Sequence, residues 1–408
     1  MTFHTVRRTL FTVHMWVGLI LGILLAALGL SGSLLVYDDK VAALLSPAPH
    51  ATTAGEPLPL TMIADIARRA AGEKGIEGGQ IQLILPEADG DALIARIGQI
   101  GPMGNGPASG RDGASRPEGQ RGEHRRHRDG EGRHRDGAGT GQGGGGLQVF
   151  IDPVSGAVLG TRKSALPPIL TFAHQLHGNF LMGRDGRSWA VGPLGVAMLI
   201  LGLSGIVLWW PRRGQWKYAF MVRRTAKGLR FHRELHAAVG VWIFVIFMVV
   251  SFSGVVIVWP QTFGMPQFSR APVTVEDTGG SVIGAQEAVI AARAALPNAV
   301  LRSVTLPARP DQAISVSFLS NGAINASVLV DPYTAKVLQV RDPSQSFMAW
   351  QRPLHQGSVG PVWKFLVFLS GLVPTLFVVT GMIMWAKKRK RRVPMTMLTD
   401  DVTAGEAA

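Results

Sequence analysis

Four histidines stand at matching places in two parts of the 408-residue sequence. His14 and His236 each open an apolar run and are followed four residues later by a glycine, in "HMWVG" and "HAAVG". His177 and His355 each follow a leucine shortly before the next apolar run, in "LHGN" and "LHQG". Paired imidazoles can bind a metal ion, relay protons or ligate a haem iron from two sides. These four side chains are the first candidates for chemistry.

Other histidines have no counterpart in the second part of the sequence. His174 lies three residues before His177 and shares its helical face, so it could support that side chain, replace it as a ligand or contact a substrate. His232 stands four residues before His236 in a similar relation, and we rank both below the four repeated histidines. A flexible glycine- and arginine-rich loop, in preference to a loose metal site, is expected to hold His124, His127 and His134.

Four apolar runs must position these histidines. A helix of roughly 20 residues crosses a hydrocarbon core of about 30 Å. On this length we predict membrane spans at residues 11–37, 189–210, 236–259 and 362–386. Lys- and Arg-rich flanks place three segments in the cytoplasm: the termini 1–10 and 387–408, and the loop 211–235. The two longer segments, 38–188 and 260–361, are then outside, which makes the protein multi-pass with both termini cytoplasmic.

The charge and cysteine content exclude several classes of protein. The net charge is +14, but the basic residues lie beside the apolar runs, which indicates contact with anionic lipid and not with nucleic acid. The sequence has no cysteine, so disulfides, thiolate metal sites and cysteine-ligated iron–sulfur clusters are excluded.

The two external segments repeat one pattern. "LQVFIDPVSGAVLGTR" and "ASVLVDPYTAKVLQVR" both read as strand, turn and strand, with turns opened by Asp152-Pro153 and Asp331-Pro332. A helical pattern and two alternating strands precede each. We therefore predict one helix on a four-stranded antiparallel sheet in each segment, with a disordered insert at 101–146 in the first. The fold class is a bundle of four transmembrane helices built from two parallel repeats, with two external α+β domains.

The recurrence of the histidines favours haem over the alternatives. A single histidine at a helix end could simply bond a neighbouring carbonyl, but two symmetric pairs at two depths favour a bound group. Zinc or copper would need further ligands, and a proton relay usually includes an acid that the spans lack. Two haems, one near each membrane face, would fit the paired imidazoles. We expect small residues beside the macrocycle at Gly18, Gly22, Gly29, Gly240 and Gly371.

Each predicted span also ends in a Ser-Gly or Thr-Gly pair followed by an aromatic residue. We interpret the small residues as sites of close helix approach and the aromatics as an interfacial belt. The pairs begin at Ser31, Ser204, Ser253 and Thr380.

At these residues the sequence resembles the PepSY-associated transmembrane family, which includes bacterial inner-membrane siderophore-iron reductases. The likeness rests on "HMWVGLILG", "LHGNFLMGRDGRSWAVG", "SGIVLWWP", "ELHAAVGVW" and "PLHQG" with "GLVPTLFVVTGMIMW". It covers nearly the whole chain outside the insert. It implies periplasmic PepSY domains, b-type haem in the membrane and reduction of ferric iron or another oxidant outside. The family's haem-iron ligands would fall on His14, His177, His236 and His355.

The leading hypothesis is a di-haem oxidoreductase of the bacterial inner membrane. It would reduce a periplasmic ferric substrate, with a ferric siderophore as first candidate, and release ferrous iron. Because no dinucleotide-binding fingerprint is present, electrons would come from quinol or a cytoplasmic reductase. The alternative is a non-enzymatic PepSY membrane module that binds or restrains a protease or an envelope protein. A third hypothesis, a transporter of iron or siderophore, is disfavoured by the small number of spans.

Overall fold

The computed structural model describes residues 3–98, 146–163, 165–263, 273–309 and 311–390. Except for Gly146, the insert predicted to be disordered lies outside the described residues, as do its three histidines. The helices in chain order are α1 (Phe3–Val36), α2 (Asp38–Leu45), α3 (Leu60–Gly72), α4 (Pro168–Asn179), α5 (Gly183–Gly186), α6 (Gly192–Trp209), α7 (Trp216–Ala219), α8 (Gly228–Val258), α9 (Ala285–Ala295), α10 (Gln351–Gln356) and α11 (Pro361–Lys390). The strands are β1 (Gln80–Ile84), β2 (Leu93–Gly98), β3 (Leu147–Ile151), β4 (Val158–Lys163), β5 (Val300–Leu306), β6 (Ile314–Ser320), β7 (Ile324–Val330) and β8 (Val337–Arg341).

Four described helices are long and apolar enough to cross a membrane, which confirms the membrane helical class. They are α1, α8, α11 and the stretch Gly183–Trp209, in which a π-helical turn at Arg187–Val191 joins α5 to α6. Both α1 and α8 begin about two turns before the predicted spans. Hydropathy marks only the apolar part of a helix, whereas the backbone hydrogen bonds continue through the basic residues that precede it.

The four long helices form a closed ring in which α1 packs on α6 and α11, and α8 packs on the same two helices. The contact between α1 and α11 is the closest, because Gly29 and Gly371 meet there backbone to backbone. Ser33 Oγ also donates a hydrogen bond to the Phe368 carbonyl across this contact (2.8 Å). Both glycines therefore serve helix packing, and the expectation that they lie beside a macrocycle is wrong.

Outside the bundle, each half of the chain contributes one helix and four antiparallel strands. The strands form one continuous sheet in the order β4-β3-β2-β1-β5-β6-β7-β8. The two sets meet where β1 pairs antiparallel with β5, as in Leu83 opposite Val304. The sequence predicts a separate four-stranded sheet in each segment, whereas the structure joins the two sheets into one. Without this pairing, β1 and β5 would each leave the backbone N–H and C=O groups of a sheet edge unpaired.

One apolar core lies between this sheet and the helices α3 and α9. Leu83, Val149, Val304 and Val316 are fully buried in it. The two helices also touch, since Thr61 Oγ1 accepts a hydrogen bond from the Gln286 backbone N–H (3.3 Å). The sheet and its two helices therefore pack as a single layer pair at one end of the bundle.

The two Asp-Pro turns are capped by their aspartates, as the sequence predicted. Asp152 Oδ1 accepts hydrogen bonds from the backbone N–H groups of Val154 and Ser155, both at 3.0 Å. Asp331 Oδ1 accepts equivalent bonds from Tyr333 (2.8 Å) and Thr334 (3.0 Å). The hydrogen bond from the Ser155 backbone, with weaker contributions from Val154 and Thr53, holds the pKa of Asp152 below its usual range. This carboxylate is therefore ionised at neutral pH.

Two facing histidine pairs as a candidate cofactor site

The first pair of histidines faces across the bundle at the end where the basic segments lie, which we call the basic end. His14 on α1 and His236 on α8 have ring centroids 6.4 Å apart and planes inclined at 75°. The Phe377 ring from α11 lies 4.5 Å from the His236 ring and packs against it. We call His14 and His236 the basic-end pair.

Hydroxyl groups orient both rings of the basic-end pair. Ser204 Oγ lies 2.7 Å from His14 Nδ1, and Thr380 Oγ1 lies 2.8 Å from His236 Nδ1. Each hydroxyl also donates to a carbonyl of its own helix, from Ser204 to Leu201 (3.2 Å) and from Thr380 to Leu376 (2.8 Å). A hydroxyl proton engaged in this way leaves the oxygen as acceptor, so Nδ1 of each histidine carries the proton and donates it.

The second pair lies at the opposite end of the bundle, beneath the sheet, and we call it the sheet-end pair. His177 on α4 and His355 on α10 have ring centroids 5.8 Å apart and planes inclined at 36°. His177 Nδ1 donates to the Leu28 carbonyl of α1, and His355 Nδ1 donates to the Val250 carbonyl of α8, both at 2.9 Å. Here backbone carbonyls are the closest acceptors, and Ser253 Oγ lies farther from His355 Nδ1, at 3.4 Å.

Two glycines make room for the sheet-end rings. A Cβ added at Gly32 would come within 2.7 Å of His177 Cε1, and one at Gly254 within 2.9 Å of His355 Cε1. Such approaches are closer than van der Waals contact allows, so only glycine permits the rings to lie against α1 and α8. The glycines of the first and third Ser-Gly pairs, Gly32 and Gly254, thus pack against histidine rings. From the sequence we interpret them only as sites of close helix approach, which misses this role.

All four rings present Nε2 with a free lone pair as a result of these hydrogen bonds. This tautomer, fixed by a partner at the other nitrogen, is the form in which imidazole binds metals. Burial lowers the pKa of His355 to about 4 and also lowers the pKa of His177, so both rings are neutral at neutral pH. The sheet-end pair is therefore kept in a ligating state.

The spacing of each pair suits one metal centre between two imidazoles. Metal–imidazole bonds of about 2 Å place two opposed ligating nitrogens roughly 4 Å apart and the ring centroids roughly 6 Å apart. The observed separations of 6.4 Å and 5.8 Å match this value. Within the described residues, no group of three or more His, Cys, Asp or Glu side chains could hold a metal ion. The donor set therefore fits a group that needs only two axial ligands from the protein, as haem does.

A cavity of about 1190 Å³ surrounds the basic-end pair and is lined by all four long helices. Its volume slightly exceeds the roughly 300–1,000 Å³ of most small-molecule sites. Gly18, Gly22 and Gly240 lie in its wall together with apolar side chains such as Phe247. It can accept a large planar group between the two imidazoles.

The unpaired histidines lie to the side of both pairs. His174 Nδ1 bonds to the Leu170 carbonyl of its own helix (2.9 Å), and its Nε2 is 3.8 Å from Asp38 Oδ2. His232 packs edge-on against Phe231 and does not line the cavity. These positions favour supporting or surface roles over direct ligation. From the sequence we likewise rank His174 and His232 below the four repeated histidines as candidate ligands.

Arginines lie beside the sheet-end pair. Arg352 precedes His355 by about one helical turn, and Arg187 Nη2 donates to the Ile257 carbonyl of α8 (2.8 Å). Burial and then the nearby Arg187 guanidinium lower the pKa of Arg352. The sheet end of the bundle is thus positively charged close to its histidines.

The protein is a membrane protein in which four long apolar helices enclose two facing histidine pairs beneath an antiparallel sheet. It belongs to the family described as PepSY-associated TM region, whose model matches residues 11–388. This confirms the resemblance inferred from the sequence. No curated protein matches the chain.

Proposed function

We propose that the protein is a haem-dependent membrane oxidoreductase that reduces a ferric substrate outside the bacterial inner membrane. The observation that carries the proposal is the pairing of four histidine rings at two ends of the bundle, each held through Nδ1. Histidines that only bonded neighbouring carbonyls at helix ends would not need to lie in facing pairs. One haem b at each pair accounts for the ligands and the ring separations, and at the basic end also for the cavity.

Bound haem would supply one-electron oxidation and reduction at iron, and two histidine ligands would leave no iron position open for oxygen chemistry. His14 and His236 would hold the group at the basic end, and His177 and His355 would hold it at the sheet end. Ser204, Thr380 and the two carbonyls keep the rings oriented. The walls of the basic-end cavity around His14 and His236 are largely apolar.

The distribution of charge supports an orientation with the basic end in the cytoplasm. Arg7, Arg8 and Lys388 surround the cavity mouth at this end, and short basic segments of membrane proteins remain on the cytoplasmic side. The sheet would then be periplasmic. A hydrocarbon core of about 30 Å separates the two surfaces, so a histidine pair near each end serves both sides of the membrane.

The proposed reaction consumes one electron for each ferric chelate, which becomes ferrous and releases its iron more readily. A quinol that becomes a quinone yields two electrons and two protons and so reduces two ferric chelates. We favour a ferric siderophore as the external substrate. Quinol, or a cytoplasmic reductase, is the donor we expect, because the basic loop 211–235 between the spans is too short for a nucleotide-binding fold.

The test begins with the visible spectrum of detergent-purified protein, oxidised and then reduced with dithionite. We expect a low-spin b-type spectrum with about two haems per chain. Vesicles containing the protein and a reduced quinone should then reduce ferric chelates supplied on the sheet side. A colourless protein from haem-replete cells would overturn the proposal and favour the non-enzymatic binding module.

A further inference from the structure

The mouth of the basic-end cavity carries a concentration of positive charge. The described residues that line the cavity include no aspartate or glutamate. Its cationic lining residues come from α1, α8, α11 and the residue before α8: Arg7, Arg8, Lys227, Arg230, Arg233 and Lys388. Like charges so close together repel one another, and an anion at the mouth would offset that repulsion.

Contacts to neighbouring helices hold two of these cations in place. Arg7 Nη2 donates to the Leu208 carbonyl of α6 (2.9 Å). Lys388 Nζ lies over the Phe11 ring of α1, 5.1 Å from its centroid. By contrast, Arg230 pairs with Glu234 (2.9 Å) and is partly neutralised. Arg7 and Lys388 are therefore cations held against neighbouring helices at the mouth, and Arg8, Lys227 and Arg233 add positive charge beside them.

The cavity has two chemically different parts. Deep within the bundle its walls are apolar and glycine-rich around His14 and His236, and at the mouth they are cationic. A ligand that fills both parts has a large apolar body and an anionic edge. A porphyrin with two carboxylate side chains has that shape and that distribution of charge.

We propose that Arg7, Arg8 and Lys388 bind the carboxylates of the haem held by His14 and His236. The inference rests on the proposed function and extends it, because it fixes which edge of the group faces the basic end. It also assigns these cations an electrostatic role. Positive charge near a bound haem would stabilise its reduced form, which carries one positive charge fewer, and so would raise its midpoint potential.

The test compares two triple variants that remove the same charge from the same end of the bundle. The first is Arg7→Gln, Arg8→Gln and Lys388→Gln. The matched control is Arg213→Gln, Arg224→Gln and Lys387→Gln, three exposed cations that do not line the cavity. Transfer of haem to excess apomyoglobin and redox titration are measured for both variants and for the unmodified protein.

We expect two phases of haem transfer in the unmodified protein and in the control. In the first variant, one phase should be faster by at least about ten-fold, because hydrogen bonds to charged groups are among the strongest. The midpoint potential of the same haem should fall, while the other haem stays unchanged and reports that the bundle is folded. If the triple variant does not fold, Arg7→Gln and Lys388→Gln singly should show the same shifts at smaller size.

Three outcomes separate the explanations. Unmodified protein without haem would refute the proposed function itself. Two haems with identical behaviour in the variant and the control would refute only the role of the mouth cations. The anion could also come from a phospholipid headgroup. If the effect of the variant occurs in vesicles with phosphatidylglycerol and disappears in pure phosphatidylcholine, the mouth binds the headgroup of an anionic lipid and the proposal is wrong.

Discussion

The basic-end and sheet-end pairs use the same residue type with different supports. At the basic end, the histidines lie on the long helices α1 and α8 and are oriented by side-chain hydroxyls. At the sheet end, they lie on the short helices α4 and α10 and are oriented by backbone carbonyls of α1 and α8. The long helices thus supply ligands at one end and hydrogen-bond acceptors at the other.

This difference determines how each site can be altered. A hydroxyl is removed by a single substitution, whereas a carbonyl remains whatever side chain is present. The sheet-end rings instead depend on the absence of side chains at Gly32 and Gly254. The same tautomer is therefore secured by polar side chains at one site and by the shape of the helix surface at the other.

The largest expected effect comes from removing one ligand at each end. His14→Ala and His355→Ala should each lower the haem content from about two per chain to about one, because each removes one of the two imidazoles that would hold that haem. Each variant should lose a different component of the reduced spectrum. His174→Ala and His232→Ala are the controls and should keep both haems. Retention of both by His355→Ala would show that the ligand assignment is wrong.

A smaller effect, confined to the sheet end, is expected from Gly32→Ala and Gly254→Ala. The new methyl group would overlap the His177 or His355 ring, and overpacking of this kind costs about 1–3 kcal/mol. Haem titration should show weaker binding at the sheet-end site alone. Gly178→Ala, beside His177, meets no atom within 4 Å and should bind haem normally. Equal losses at both ends would remove the distinction between the sites.

The converse change, confined to the basic end, is expected from Ser204→Ala and Thr380→Val. Loss of the group that accepts the Nδ1 proton should weaken haem binding there by about ten-fold, the lower range for such partners. Ser31→Ala is the matched control, because its hydroxyl donates to helix carbonyls and holds no ring. If Ser204→Ala and Ser31→Ala behave alike in haem titrations, the hydroxyls do not orient the basic-end rings.

The subtlest difference needs no substitution. The mutual angle of two axial imidazoles governs the magnetic anisotropy of low-spin ferric haem. With planes at 75°, the basic-end site should give a highly anisotropic electron paramagnetic resonance signal, and with planes at 36° the sheet-end site should give an ordinary rhombic one. His355→Ala should remove the rhombic signal alone. Two signals of one type would mean that the rings rotate when they bind.

Much of the bundle could be predicted because its signals are local in the sequence. The apolar runs gave the four long helices, and the recurrence of "LH" motifs and of histidines before glycines indicated which rings would face each other. The Asp-Pro turns were equally readable, since an aspartate caps its own turn within three residues. Each of these inferences depends on spacing along one segment.

The remaining features depend on contacts between distant segments. The sequence shows hydroxyls at Ser204 and Thr380 but not which ring they face, and the carbonyls of Leu28 and Val250 have no sequence signal at all. The pairing of β1 with β5 depends on how the two external segments approach each other. Gly29 and Gly371 looked like the other glycines of the spans, and only packing distinguishes them.

The two edges of the continuous sheet lead into the helices that carry the sheet-end pair. The helix that carries His177 follows β4 and the helix that carries His355 comes after β8, and these strands are the two opposite edges of the sheet. With strands about 4.8 Å apart, the two edges of an eight-stranded sheet lie roughly 34 Å from each other. The centroids of the two histidine rings that follow these edges in the chain are nevertheless only 5.8 Å apart. A molecule that flattened or twisted the sheet would therefore change the gap between these two rings and leave the far pair untouched.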